Sequence, residues 1–171
     1  AAVSFRALRY ATLNFGLTVD DKTTVDRYTF SGPGQDLSSA RNEFKFTEVS
    51  AGIRYAHKEK FLQMPDTRIS MGTDFPVIWL NYTRGLSGTF DGQYEYNKFD
   101  LKIGKSFRFK YLGTSTFDLR AGYIDRAVPW TNLYNGHGSY RVFTLYAPSS
   151  FATMRMNEFL SDRYAFLFFT H

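Results

Sequence analysis

The sequence predicts an all-β protein, and more narrowly a set of antiparallel strands from a transmembrane β-barrel of which this chain supplies a part. Three observations predict it. Apolar and polar residues alternate over stretches of roughly ten residues, longer than the ~5–6 of a typical globular strand and close to the ~9–11 of a tilted membrane strand. The dry faces of these stretches are heavy in Phe and Leu, while Tyr and Trp fall towards strand ends, as interface girdles require. The wet faces mix both charge signs with Gly and Ser, as a hydrated or filled interior does.

Taken in order, the first alternation sets Val3, Phe5, Ala7, Ala11, Leu13, Phe15, Leu17 and Val19 against Ser4, Arg6, Tyr10, Thr12, Asn14, Gly16 and Thr18. Leu8 and Arg9 break its phase, which leaves one strand or two open. A long polar connection follows from Asp20 to Asn42, with Ser31-Gly32-Pro33-Gly34 as its turn. Val49, Ala51, Ile53 and Tyr55 then oppose Glu48, Ser50, Gly52 and Arg54. After a mixed connection from His57 to Asp74, Ile78, Leu80, Tyr82 and Leu86 oppose Trp79, Asn81, Thr83 and Gly85.

The clearest pattern runs from Lys98 to Lys110. Phe99, Leu101, Ile103, Phe107 and Phe109 share one face, interrupted by Lys105, and Lys98, Asp100, Lys102, Gly104, Ser106, Arg108 and Lys110 share the other. Phe117, Leu119, Ala121 and Tyr123 repeat it against Thr116, Asp118, Arg120 and Gly122. The short turn between these runs makes them antiparallel neighbours. The connection from Asp125 to Leu160 is the longest and still carries many aromatics, which marks it as a segment that packs on something. A last strand starts near Asp162. About six strands are expected in all. Both ends fall within strand-like patterns (Ala1 to Phe5, Phe168 to His171), so the expectation is a portion of a larger wall.

Composition agrees. The 171 residues include 18 Phe and 12 Tyr, types that favour pleated, half-buried surfaces. Five Pro and 13 Gly exclude collagen-like or disordered chains. Cysteine is absent, which removes disulfide frameworks and thiolate metal sites. The formal charge of +5 comes without a dense Lys/Arg block, so nucleic acid is not expected as a partner. No run of about 18 apolar residues occurs, which excludes a membrane helix. A mean hydropathy of −0.34 fits a barrel as well as a soluble β-sandwich, and the sandwich binding module stands as the rival architecture.

Four segments carry a family resemblance: Thr47 to Ala56 with Glu59 to Leu62, Pro76 to Gly85, Tyr134 to Tyr140, and Phe151 to Tyr164. They resemble the barrel part of an outer-membrane family of unknown function whose members carry an N-terminal carboxypeptidase-regulatory-like domain. That family in turn resembles the bacterial surface-antigen superfamily of barrel-assembly and translocation pores. The resemblance implies a Gram-negative outer-membrane location, with outer-membrane lipid and other envelope proteins as partners. It also implies a non-catalytic role in transport, translocation or envelope assembly, with a structural or partner-docking barrel as the alternative. It implies, further, that residues 1–171 are one part of a barrel domain and cover roughly strands seven to twelve. The 125–160 loop would then fold into the lumen. There Gly138-Ser139-Tyr140-Arg141-Val142-Phe143 is similar to a Gly-x-x-Arg-Gly-aromatic signature, departing from it at Val142.

On that basis Gly138, Tyr140 and Arg141 are candidates for docking the loop, the guanidinium meeting wall carboxylates of Glu48, Asp100 or Asp118 through paired hydrogen bonds. The plain alternative is a solvated loop arginine. Glu158, Asp162 and Arg163 form a second candidate cluster at the loop base, against local turn bonding. Phe99, Leu101, Ile103, Phe107, Phe117, Leu119 and Tyr123 are expected to face lipid. The basic run Lys98, Lys102, Lys105, Arg108 and Lys110 would hold anionic head groups or cargo, or be balanced by Glu95, Asp100 and Asp118. His57, His137 and His171 lack metal-ligand spacing, and no nucleophile elbow or carboxylate pair stands out, so neither cofactor, metal nor catalysis is expected.

Overall fold

A computed structural model describes residues 1–23, 30, 43–65, 67–136, 138–139, 151–155 and 158–171. In chain order its strands are β1 (Ala2–Leu8), β2 (Ala11–Thr23), β3 (Glu43–Ala56), β4 (Lys60–Gln63), β5 (Arg68–Gly72), β6 (Val77–Gly85), β7 (Tyr96–Phe109) and β8 (Gly113–Ile124). After a 3-10 turn at Trp130–Asn132 come β9 (Tyr134–Asn135), β10 (Gly138–Ser139), β11 (Phe151–Arg155), β12 (Leu160–Ser161) and β13 (Arg163–Thr170). Seven of them form one sheet in the order β1-β2-β3-β6-β7-β8-β13. All six pairings in it are antiparallel. The protein is all-β, and its main sheet is an up-and-down meander.

The main sheet thus holds one strand more than the alternation predicts, because Leu8 and Arg9 do end one strand and begin a turn. The second difference lies between His57 and Asp74. What reads as a mixed connection holds the β4–β5 hairpin, paired Leu62↔Ile69 and Gln63↔Arg68. Its strands are too short for period two to show. The turn after β7 is also tighter than the sequence implies, since pairing continues to Phe109↔Gly113 and Gly113 takes a positive φ of 96°.

Register decides which side chains share a face. One transverse row runs Phe5, Leu13, Ile53, Leu80, Leu101, Ala121, Ala165 across all seven strands. The next row on the same face is Leu8, Ala11, Tyr55, Ile78, Ile103, Leu119, Leu167. On the opposite face one row reads Arg6, Thr12, Arg54, Trp79, Lys102, Arg120, Phe166, and its neighbour Ser4, Asn14, Gly52, Asn81, Asp100, Gly122, Tyr164. A slip of one residue in any pair would mix these faces.

Burial inverts the usual arrangement. The apolar face is the bare one: Val49, Ile53, Leu80, Phe99, Leu119 and Phe169 are all exposed. The polar face is the crowded one. A Cβ added to Gly52 would sit 2.9 Å from Asn81 Oδ1, and one added to Gly16 2.6 Å from Ser50 Oγ. Among the described residues no second layer covers the apolar face.

The buried apolar cluster lies on the polar face, at the end where β2, β6 and β8 terminate. Phe44, Phe46, Tyr96 and Ile124 come from the sheet and Val128 from the following segment, with Phe30, Tyr94, Leu133 and Tyr134 against them.

Candidate functional site

Three polar assemblies occupy the crowded face. The first is where the segment after β8 meets the sheet. Pro129 and Asn132 are buried, and the 3-10 turn between them aims the Asn132 amide inward. Asn132 Nδ2 donates to the Tyr96 hydroxyl and to Glu48 Oε1 (3.3 Å), and Tyr96 donates to the same Glu48 carboxylate. Two residues later Tyr134 donates to the Phe99 carbonyl (2.9 Å), with the Lys98 ammonium 4.4 Å over its ring and Tyr164 edge-on. Residues 126–136 are therefore bolted across the polar face by both packing and hydrogen bonds.

The second assembly is central. Asp118 accepts from Arg120 (2.7 Å) and lies 3.7 Å from Lys102 Nζ. Lys102 and Arg54 in turn both lie over the Trp79 ring, at 5.0 and 5.8 Å. The third is at the end of the sheet with the shorter turns. Arg54 grips Glu59 through two bonds of 2.8 and 2.6 Å, and Ser70 of the hairpin donates to the same carboxylate (2.5 Å).

That last carboxylate predicts a pH effect. The Arg54 hydrogen bonds outweigh burial and hold the Glu59 carboxyl below its ordinary value of 4.5, helped by Ser70 and by the Arg54 and Arg6 charges. A carboxyl depressed on folding contributes stability that is present above its unfolded pKa and lost as pH falls through the folded one. Comparing Glu59→Gln with wild type in urea titrations, the gap between their midpoints should be full above about pH 5 and shrink steadily as pH falls below the ordinary value of 4.5. A gap that stays constant across that window counts against the coupling.

The sequence-based candidates now have places. Glu48 and Asp118 do lie on the polar face, but they are engaged by Tyr96 with Asn132 and by Arg120. Asp100 lies between them, beside Tyr134. Asp162 and Arg163 pair with each other at 3.6 Å on the surface, and the Asp162 carbonyl accepts from Ile124 N (2.8 Å). Glu158 is exposed nearby. Gly138 joins a short parallel pairing with Phe151. Tyr140 and Arg141 lie outside the described residues. Lys105 departs from the basic wet-face run: it stands on the apolar face opposite Phe117, and its ammonium reaches the Asp74 carbonyl.

All of Phe99, Leu101, Ile103, Phe107, Phe117, Leu119 and Tyr123 share the apolar face, and none is buried. At the end where β6 stops and β7 starts, a polar rim bounds this face. Tyr82 donates to Asn97 (2.6 Å), Asp125 accepts from the Asn97 backbone and amide (both 2.6 Å), and Glu95 takes Arg84 and Arg126 at 3.5 and 3.1 Å. Tyr96, Trp79 and Tyr164 run against the expected girdle, since they stand on the crowded face.

Residues 15–124 match the C-terminal domain of a family of unknown function, DUF5686. The chain belongs to this family. No curated protein and no solved structure matches it. The DUF5686 domain as matched starts inside β2 and stops at the last residue of β8. It therefore contains the sheet assemblies of Asp118 and of Arg54 with Glu59, and the Glu48–Tyr96 pair. Asn132 and Tyr134, which fasten the following segment to that sheet, lie beyond the matched residues. The family description assigns no chemistry. Among the described residues no group of His, Asp or Glu is arranged to hold a metal, and no helix is long and apolar enough to cross a membrane, which says nothing of strands.

Proposed function

We propose that the sheet is part of the wall of an outer-membrane β-barrel, with its apolar face in lipid, its polar face lining the interior and residues 126–136 lying across that interior. The role is non-catalytic, in transport, translocation or envelope assembly. One observation carries the reading: the apolar rows are bare and the charged rows are packed. In water this arrangement exposes an apolar patch spanning seven strands, far beyond the few hundred Å² a soluble monomer usually shows. In hydrocarbon it is the favourable one.

The dimensions agree. From Ala11 to Val19, β2 rises about 27 Å at ~3.4 Å per residue, or about 20 Å once tilted by ~40°, against an apolar band ~25 Å tall. The connections at one end of the sheet are short apart from the hairpin insertion, while those at the other include the 86–95 and 125–162 segments. The longer end is the external one in such barrels.

No cysteine lies among these 171 residues, so single-cysteine spin labels can be placed along β7 of the full-length protein in lipid vesicles, with any cysteine elsewhere replaced. Labels at 99, 101 and 103 should relax faster with oxygen, and labels at 98, 100 and 102 with a water-soluble nickel chelate. Chelate access at 99, 101 and 103 equal to that at the even positions would overturn the membrane assignment. Conductance of the full-length protein, with and without residues 132–150, separates a conducting pore from a docking scaffold.

A further inference from the structure

The geometry points to a phosphate-binding site on the polar face at its short-turn end, formed by the guanidinium groups of Arg6, Arg54 and Arg68. β1 and β3 both pair with β2, and register sets Arg6 opposite Thr12 and Thr12 opposite Arg54. The β4–β5 hairpin then brings Arg68 over from the other side. Arg6 and Arg68 share one ring, lying 5.6 and 3.9 Å from the centroid of Phe61. The three cations and Thr12 line an open cavity of about 200 Å³, large enough for a phosphate group.

The charge balance within that cavity is what asks for a ligand. Among the described residues the three guanidiniums face a single carboxylate, Glu59, and Arg54 takes both of its oxygens. Among the described residues neither Arg6 nor Arg68 forms an ion pair. Arg6 donates to the Arg9 carbonyl, which leaves most of its five N–H groups for other acceptors. Like charges held this close repel unless an anion joins them. A tetrahedral oxyanion accepts paired bonds from the planar forks of Arg6 and Arg68, a single bond from the N–H groups that Glu59 leaves on Arg54, and a further one from a hydroxyl such as that of Thr12. The ligand class is therefore a phosphate or phosphate monoester, free or carried on a lipid head group. The site does not depend on what the apolar face touches, so its test is independent of the membrane reading.

The experiment is titration calorimetry on the full-length protein in a zwitterionic detergent, first with inorganic phosphate and then with short-chain phosphatidic acid. Saturable binding of either probe is expected, weakened about tenfold or more in Arg6→Gln and in Arg68→Gln, since each loses a charge-assisted pair. Binding of both probes, or of phosphate alone, identifies the group itself as the ligand; binding of the lipid alone identifies the head group. Glu59→Gln should bind more tightly, because it releases Arg54 from its competitor, and weaker binding there counts against the site. No saturable binding of either probe overturns it. So does unchanged affinity in Arg6→Gln and Arg68→Gln, with circular dichroism showing an intact sheet.

Discussion

Replacing Leu101 with arginine should lower stability in lipid vesicles by about 2–4 kcal/mol, the cost of a cation at the midplane of a bilayer on the outer face of a strand. Leu101 is the choice because it stands in the centre of its row, flanked by Leu80 and Ala121 and two residues from Phe99 and Ile103. Its neighbours within the row and along β7 are all apolar, so no carboxylate among them answers the charge. The neighbouring position supplies the control. Asn81 lies on the other face opposite Asp100, whose carboxylate can answer an added charge, and Asn81→Arg there should cost clearly less than Leu101→Arg. The measurement is reversible urea unfolding followed by tryptophan emission. Equal effects at 101 and 81 would mean that the two faces meet the same solvent, and the membrane reading would fail.

Gly85→Ala should cost about 3 kcal/mol for a reason within the wall. A Cβ at position 85 meets the Tyr96 ring, with Cδ1 at 2.6 Å and Cζ at 2.9 Å. Tyr96 is fully buried between Phe44, Phe46, Ile124 and Val128, and its hydroxyl is tied to Glu48 and Asn132. Overpacking of this kind costs about 1–3 kcal/mol, and displacing the hydroxyl leaves buried polar partners short by a similar amount. Gly104→Ala is the comparison, since there the nearest atom is the Trp79 ring edge at 3.4 Å. A loss below about 1 kcal/mol at position 85 would show that Tyr96 has room to move. The same loss at 104 would show that the cost is backbone propensity and not this contact.

Much of the fold was legible because period two is a direct trace of the pleat. The alternation from Lys98 to Lys110 and from Thr116 to Tyr123 assigns faces that register then confirms pair by pair. The β4–β5 hairpin escaped because its strands are too short for alternation to rise above chance. The site was legible only in part. Glu48 and Asp118 were picked as wall acids because they alternate correctly, but their partners are set by contacts between distant segments. Asn132 reaches across 84 positions to Glu48, and nothing local to Trp130–Asn132 announces it. Tyr96 carried a usable signal, since it continues the even-numbered face one step before Lys98. Arg54 with Glu59 did not, because their pairing depends on how the chain turns after Ala56. Arg141, the residue the resemblance favoured, lies outside the described residues.

The pairing order has a consequence for biogenesis. Among the described residues β1 and β13 each present one side of the backbone that no neighbouring strand answers. On the proposed membrane reading each such N–H or C=O left in hydrocarbon costs several kcal/mol, so both margins must meet further strands before the sheet crosses a bilayer. Insertion should be all-or-none, with half-assembled forms held at the head-group layer until something lends a strand to each margin.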